Sequence, residues 1–463
     1  MFKSEIYLNR RRILKDSVGS GLILFLGNDE SPMNATDNCY PFRQEYSFIY
    51  YFGCDSNAGL AAVLDVDEDK DYLFGDDVSI DDQIWMGAQP LIRDLGLKSG
   101  ITNSAEYSCL KPMITKALTK GRKIHFLPTC RADIKLKLED ITGIPHSNID
   151  NSTSPELIKA VVDQRSVKED FEIKEIEQAI DISSQMYSLL LRETKPGLKE
   201  EYLLGRMMSL MLSKGSMVSF PAILSRNGKT LHNHTYDNIL KDGDLLLIDS
   251  GVKSTEHYSS DLTRTFPVSG KFTPRQKAIY EIVLNSQLKA ISETKPDVLY
   301  KDIHLKVAEV MVEGLKSVGI MKGNTQDAAS VGAHALFYPH GLGHMIGLAV
   351  HDMEVLGEDN VGYDNEISRS SQFGLSALRL GRRLQKGFVV TAEPGIYFIP
   401  RLIDLWKSQN KFTDFINYDE VEKYKDFEGI RIEDDILVTK TGSRVLGTPV
   451  PKSVNDIESI MNS

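Results

Sequence analysis

Cysteine is scarce: Cys39, Cys54, Cys109 and Cys130 are the only four, all in the first third of the chain and none in a CxxC pair. That spacing argues against a disulfide framework or a thiolate zinc site and fits a reducing compartment. No run approaches the roughly 18 apolar residues of a membrane-spanning helix. The opening MFKSEIYLNRRRILK is charged and lacks the apolar core of a signal peptide. A cytoplasmic protein with no membrane partner is therefore expected. Basic charge is in deficit, with 54 Lys and Arg against 65 Asp and Glu for a net charge of -11, which argues against nucleic acid as a partner. No internal repeat or low-complexity tract is evident by eye.

What is present suits a globular chain of two domains, since 463 residues, 41% of them hydrophobic and 26% charged, are many for a single core. Short apolar runs at 18–27, 60–66 and 122–127 alternate with segments that can be helical, 79–96 and 108–120. They predict an α/β domain over residues 1–160, ending near the polar stretch SNIDNSTSPELIK (147–159). From Glu169 the pattern becomes helical, with Ile173, Ile176, Ile180, Tyr187 and Leu190 or Leu191 on one face. Lys195, Pro196 and Gly197 stop that helix, and a second is expected over 199–214. Thr273-Pro274-Arg275-Gln276 opens a third, with N-cap, N1 proline and capping-box glutamine in register. Strand-like runs at 245–250, 261–268, 388–398 and 430–439 make residues 165–463 an α+β domain.

Three of those runs carry an acid among apolar residues: Asp249 in LLLIDSG, Glu393 in VVTAEPGIY and Glu433 in GIRIEDDILVT. An isolated ionised carboxylate is costly in such surroundings. Asp261 opens DLTRTF, and HGLGHMIGLAVHD carries His340, His344 and His351. Hard oxygen donors with one imidazole suit Mn²⁺, Zn²⁺, Co²⁺ or Fe²⁺. Taken singly, each acid is more often a cap, turn or ion-pair partner, and each histidine a hydrogen-bonded core residue. The glycines of HGLGH also argue against a regular helix. Residue type and spacing alone leave both a metal site and a structural role open.

In order along the chain, GDLLLIDSG, SDLTRTFPVSGKFT, HGLGHMIGLAVHD, EPGIYF and GIRIEDD resemble the signature of the pita-bread metallopeptidases, the family of aminopeptidase P, prolidase and methionine aminopeptidase. The likeness runs through residues 165–445. In addition, YPFRQEYSFIYYFG (40–53) resembles the aminopeptidase P type N-terminal domain. The loop between Asp249 and Asp261 is one residue longer than is usual in the family. The resemblance implies an α/β, creatinase-like N-terminal domain followed by an α+β pita-bread catalytic domain. It implies that Asp249 holds one metal, that His344 and Glu393 hold the other, and that Asp261 and Glu433 bridge both. Two divalent ions per subunit are thus expected, Mn²⁺ by family precedent, with Zn²⁺, Co²⁺ or Fe²⁺ also suited. Charge arithmetic agrees: two divalent ions balance four carboxylates, which would otherwise repel at roughly 4 kcal/mol per pair 4 Å apart.

By the same resemblance Glu393 moves the proton, His232 in TLHNH touches the substrate carbonyl region, and His351 hydrogen-bonds the developing oxyanion. His234 is read as structural. His340 lines the proline side, with a loop histidine satisfied by backbone as the alternative. Arg431 is expected on the substrate side, orienting a ligand carboxylate rather than pairing with a surface acid. Arg379 in SALRL matches the prolidase arginine that clamps a C-terminal carboxylate, whereas Arg379, Arg382 and Arg383 together also read as a solvated basic face. The implied function is hydrolysis of the Xaa-Pro bond, most of all in dipeptides, so the implied partners are peptides with proline second. A homodimer or homotetramer is implied, with Trp85 in DDQIWMG either bordering a neighbouring cleft or sitting in a core. The alternatives are an Xaa-Pro aminopeptidase acting on longer peptides and, more remotely, a peptidase-like binding protein without metals. The presence of all five ligands disfavours the latter, along with a metal-free enzyme of the creatinase kind.

Overall fold

Local capping decides where the long helices begin. In the computed structural model, which describes residues 1–463, the Thr273 side chain accepts from the Gln276 N–H, and the Gln276 side chain returns to the Thr273 backbone. Pro274 occupies the first helical position, and the helix runs Pro274–Glu293. A second reciprocal cap, Glu169 with Glu172, opens the helix Asp170–Glu193. Its buried face holds Ile173, Ile176, Ile180, Tyr187, Leu190 and Leu191, as the periodicity requires.

The chain divides into two compact units, one of Met1–Arg165 with Glu354–Asn360, the other of Ser166–Met353 with Val361–Ser463. The first is built on a five-stranded sheet in the order Asn103–Ala105, Lys70–Phe74, Ala61–Asp65, Leu22–Leu26, Ile124–His125. The two inner pairings are antiparallel and the two outer ones parallel. Leu22, Leu24, Val63 and Phe74 from the sheet pack with Leu110, Ile114, Ile134 and Leu138 from its helices. Trp85 is not part of that core. It lies on the helix Ile80–Met86, which is held by a local Ser79/Asp82 capping box and buries none of its residues, and Trp85 itself is 87% exposed.

The second unit repeats one arrangement twice, which corrects the expectation that the chain has no internal repeat. Helices Asp170–Glu193 and Glu200–Ser213 are joined by the turn Glu193-Thr194-Lys195-Pro196-Gly197. Helices Pro274–Glu293 and Tyr300–Ser317 are joined through Glu293-Thr294-Lys295-Pro296-Asp297. The fifth residue of each turn is left-handed, Gly197 at φ +91° and Asp297 at φ +67°. The sequences match over four residues only, so the repeat is visible in the backbone and not in composition.

Each helix pair leads into antiparallel strands. The first set is Ile223–Ser225, Leu245–Ser250 and Leu262–Pro267. The second is Val389–Ala392, Asp434–Val438 and Ser443–Val445, with Gly395–Tyr397 paired to Gly429–Arg431. The long strand-like runs are each broken, at Glu393-Pro394 and at Ile432-Glu433. Proline cannot donate to a ladder, and the break frees the glutamate side chains from the regular in-and-out alternation of a strand.

Candidate metal centre

Backbone pairing gathers the five candidate ligands from distant parts of the second unit. Asp249 lies opposite Thr263 in the ladder, and Thr263 bridges to Glu433. Ala392 pairs with Asp434, so Glu393 and Glu433 leave their strands at neighbouring positions. The Thr391 N–H donates to the His344 carbonyl at 3.0 Å and the Glu393 N–H to that of Leu342 at 2.9 Å, which lays HGLGH along the same edge. Gly343 makes this approach possible: a Cβ there would stand 2.3 Å from the Thr391 carbonyl oxygen.

The donors converge. Ligand atoms of Asp261, His344 and Glu433 lie within 4.8 Å of one another. His344 Nε2 is 3.4 Å from Asp261 Oδ2 and 3.6 Å from Glu393 Oε1. Its Nδ1 is 3.0 Å from the Met345 carbonyl, so a proton there leaves the Nε2 lone pair facing the carboxylates. One oxygen each of Asp249, Asp261 and Glu433 is buried without a hydrogen-bond partner. Burial, with the neighbouring carboxylates second, pushes Asp261 and Glu433 well above the usual carboxylate range. Burial also raises Glu393 to about 8, opposed by Arg431 and reinforced by Asp249. Four crowded carboxylates, three of them with a buried unpaired oxygen, and one imidazole form a donor set for hard divalent cations, and two such ions would neutralise it.

A second ring of residues holds the first, and little in the residue pattern signals it. Arg431 donates from Nη2 to Asp249 Oδ2 at 2.6 Å, from Nη1 to the Tyr397 hydroxyl at 2.7 Å and from Nε to Thr263 Oγ1 at 3.2 Å. It is thus occupied with a candidate ligand carboxylate and its neighbours, and is buried rather than paired with a surface acid. Thr263 in turn donates to Glu433 Oε2 at 2.6 Å, and Asp435 Oδ2 accepts the Asp261 N–H at 3.0 Å. Tyr397, Thr263 and Asp435 lie inside the ligand motifs, but only their partners reveal their task.

A cavity of about 430 Å³ opens on the cluster, lined by His232, His234, His340, His351 and Arg379 among others. His340 has both ring nitrogens engaged, Nδ1 with the Gly341 carbonyl at 2.8 Å and Nε2 with the Tyr397 hydroxyl at 2.9 Å, so it presents a ring wall to the cavity. His351 meets His344 edge to face, centroids 4.4 Å apart. Burial, ahead of the surrounding charges, lowers His344 to about 4, His340 to about 3 and His351 to about 2, and it also lowers His232. These imidazoles are neutral at pH 7. The three arginines read as one basic face diverge: Arg379 lines the cavity, Arg382 is buried against the Phe388 ring, and Arg383 pairs on the surface with Glu366.

The two-unit fold and this buried donor set are those of a metallopeptidase. The chain belongs to metallopeptidase family M24, whose family model matches residues 174–440, and the aminopeptidase P N-terminal domain matches residues 7–125. It is 33% identical to an Xaa-Pro dipeptidase of Rattus norvegicus, over 98% of this chain and 92% of that protein. It is 31% identical to a probable Xaa-Pro aminopeptidase of Sordaria macrospora, over 96% of this chain and 91% of that one. Among solved structures, a variant of Escherichia coli aminopeptidase P in complex with substrate superposes with a TM-score of 0.82 at 28% identity, covering 100% of this chain and 98% of that one.

Proposed function

We propose that the protein hydrolyses the Xaa-Pro bond of dipeptides, with two divalent ions, Mn²⁺ first among them, held by Asp249, Asp261, His344, Glu393 and Glu433. The observation that carries the dipeptide reading is Arg379 on the wall of the same cavity as the carboxylate cluster. A guanidinium fork there suits a free C-terminal carboxylate, which lies near the scissile bond only in a dipeptide. When bound, the ions lend Lewis acidity to a water and to the scissile carbonyl. Glu393 takes the proton of the attacking water and passes it to the proline nitrogen, which must leave as a secondary amine. Neutral His351 donates an N–H to the oxygen on which charge develops, and His232 contacts the substrate on the carbonyl side. His340 packs on the proline side through its ring, and Arg431 keeps Asp249 in place. The working protein is read as a cytoplasmic dimer or tetramer, with the exposed helix Ile80–Met86 available for assembly.

Cleavage of longer Xaa-Pro peptides is the second reading, favoured by the likeness to aminopeptidase P structures over the whole chain. Hydrolysis of Ala-Pro and of Ala-Pro-Ala-Ala in Mn²⁺ separates the two. The dipeptide should be much the better substrate, and Arg379→Ala should raise KM for it. Robust cleavage of the tetrapeptide with little of the dipeptide would overturn the dipeptidase reading.

A further inference from the structure

His351 sits at the end of the segment Met345–Asp352, which has no regular secondary structure to aim its ring. The segment is fastened from outside instead. Asp352 Oδ2 pairs with Lys168 Nζ at 3.1 Å, and the two side chains are 2% and 1% exposed. Asp352 Oδ1 accepts the Ala349 N–H at 3.2 Å, and the Asp352 N–H returns to the Met345 carbonyl at 3.0 Å. Together these close the segment into a loop. A second buried amine, Lys253 Nζ, donates to the Leu348 carbonyl at 2.6 Å, while the Ser259 N–H donates to the Gly347 carbonyl at 2.7 Å. Gly347 is needed where the tethers meet, since a Cβ there would stand 2.3 Å from Asp352 Oδ2 and 2.9 Å from Lys168 Cε. Met353, the next residue after Asp352, holds φ +65°, and His257 in the loop of Lys253 holds φ +68°. A non-glycine residue keeps such a conformation only where its surroundings impose it.

From these contacts we infer that Lys168, Asp352 and Lys253 are positioning residues: they spend buried charge to hold the His351 ring against His344 and at the cavity wall. The inference rests on the reading of His351 as an oxyanion donor. Replacing a buried ion pair by uncharged groups of similar volume is often neutral for stability, whereas a misplacement of 1 Å at a reacting centre can cost about a hundredfold in rate. A positioning role and a purely structural one therefore predict different outcomes.

The test is the double variant Lys168→Met/Asp352→Asn, in which the asparagine keeps an acceptor for Ala349. Beside it stand Lys253→Met, in case the double variant does not fold, and His351→Asn as reference. Expected is a fall in kcat on Ala-Pro of about tenfold to a hundredfold, with KM, bound-metal stoichiometry and unfolding midpoint near those of the parent. A readout independent of turnover is the ¹³Cε1 histidine spectrum of the metal-free protein, where the signal lost in His351→Asn should shift or broaden in the tether variants. Parental kcat with an unmoved His351 signal overturns the inference, as does a loss of activity that follows lost metal or lost folded protein. Parental activity in His351→Asn instead overturns the assigned role of His351, and the spectrum still reports whether the tethers aim the ring.

Discussion

Metal uptake should expel protons, beginning with the one on Glu393. Without cations, Glu393 has a pKa of about 8, so at pH 7 it carries about 0.9 of a proton. Asp261 and Glu433 lie well above the usual carboxylate range, again with burial as the first cause, and each adds to the store. All must be ionised to act as ligands, so loading the site at pH 7 should release about 0.9 proton from Glu393, together with whatever protons Asp261 and Glu433 hold. The sign follows: apparent metal affinity rises with pH, by about tenfold per unit for each proton displaced. The Glu393 share fades above its own pKa, to about 0.1 proton at pH 9. Calorimetric titration of the metal-free protein with Mn²⁺, in buffers of different ionisation enthalpy, reads the number directly. A binding enthalpy independent of buffer at pH 7 would refute the reasoning, because it would mean that the empty cluster already stands ionised.

Three further outcomes are expected. Arg431→Met should weaken binding of the ion at Asp249 by about ten- to a hundredfold, as loss of a ligand's supporting partner does, and metal analysis after dialysis would read one ion per chain. Tyr397→Phe removes the hydroxyl between His340 and Arg431; it should lower kcat/KM for Ala-Pro by about tenfold, near the net worth of one hydrogen bond, with both ions retained. Burial holds His334 neutral by lowering its pKa to about 4. Because the folded value lies below the unfolded one of about 6.5, the stability it contributes is complete above pH 6.5 and is lost as pH falls toward 4. Between pH 8 and pH 5.5 that loss is about 1.4 kcal/mol, so urea unfolding of a His334→Gln variant should be less acid-sensitive by that amount.

Much of this molecule is legible in the chain because much of it is local. The caps at Glu169 and Thr273 and the buried face from Ile173 to Leu191 are made by residues within a few turns of one another, so their pattern is written in order. The five ligand candidates are legible for a different reason, since each stands in a short motif and the motifs keep their sequence. What the chain does not display is the contact between motifs. Arg431 and Asp249 are 182 residues apart, and Thr263 and Glu433 are 170 apart. Nothing in the composition of either partner announces the other. The internal repeat is hidden likewise, because two helix pairs need share only a turn geometry, and Gly197 and Asp297 reach it with different side chains. Trp85 shows the opposite limit: a large apolar residue is expected inside, yet a capped helix of seven residues leaves it 87% exposed.

The sequence by itself therefore determined the long capped helices and the five short motifs that carry the candidate ligands, both of which depend on short-range order. Only the tertiary structure decided that His340 has both ring nitrogens engaged and that Arg379, Arg382 and Arg383 part company. It also decided that a loop without secondary structure is tied down by two buried lysines. Those outcomes depend on which backbone edges meet, and edges meet through burial and hydrogen bonding over the whole unit.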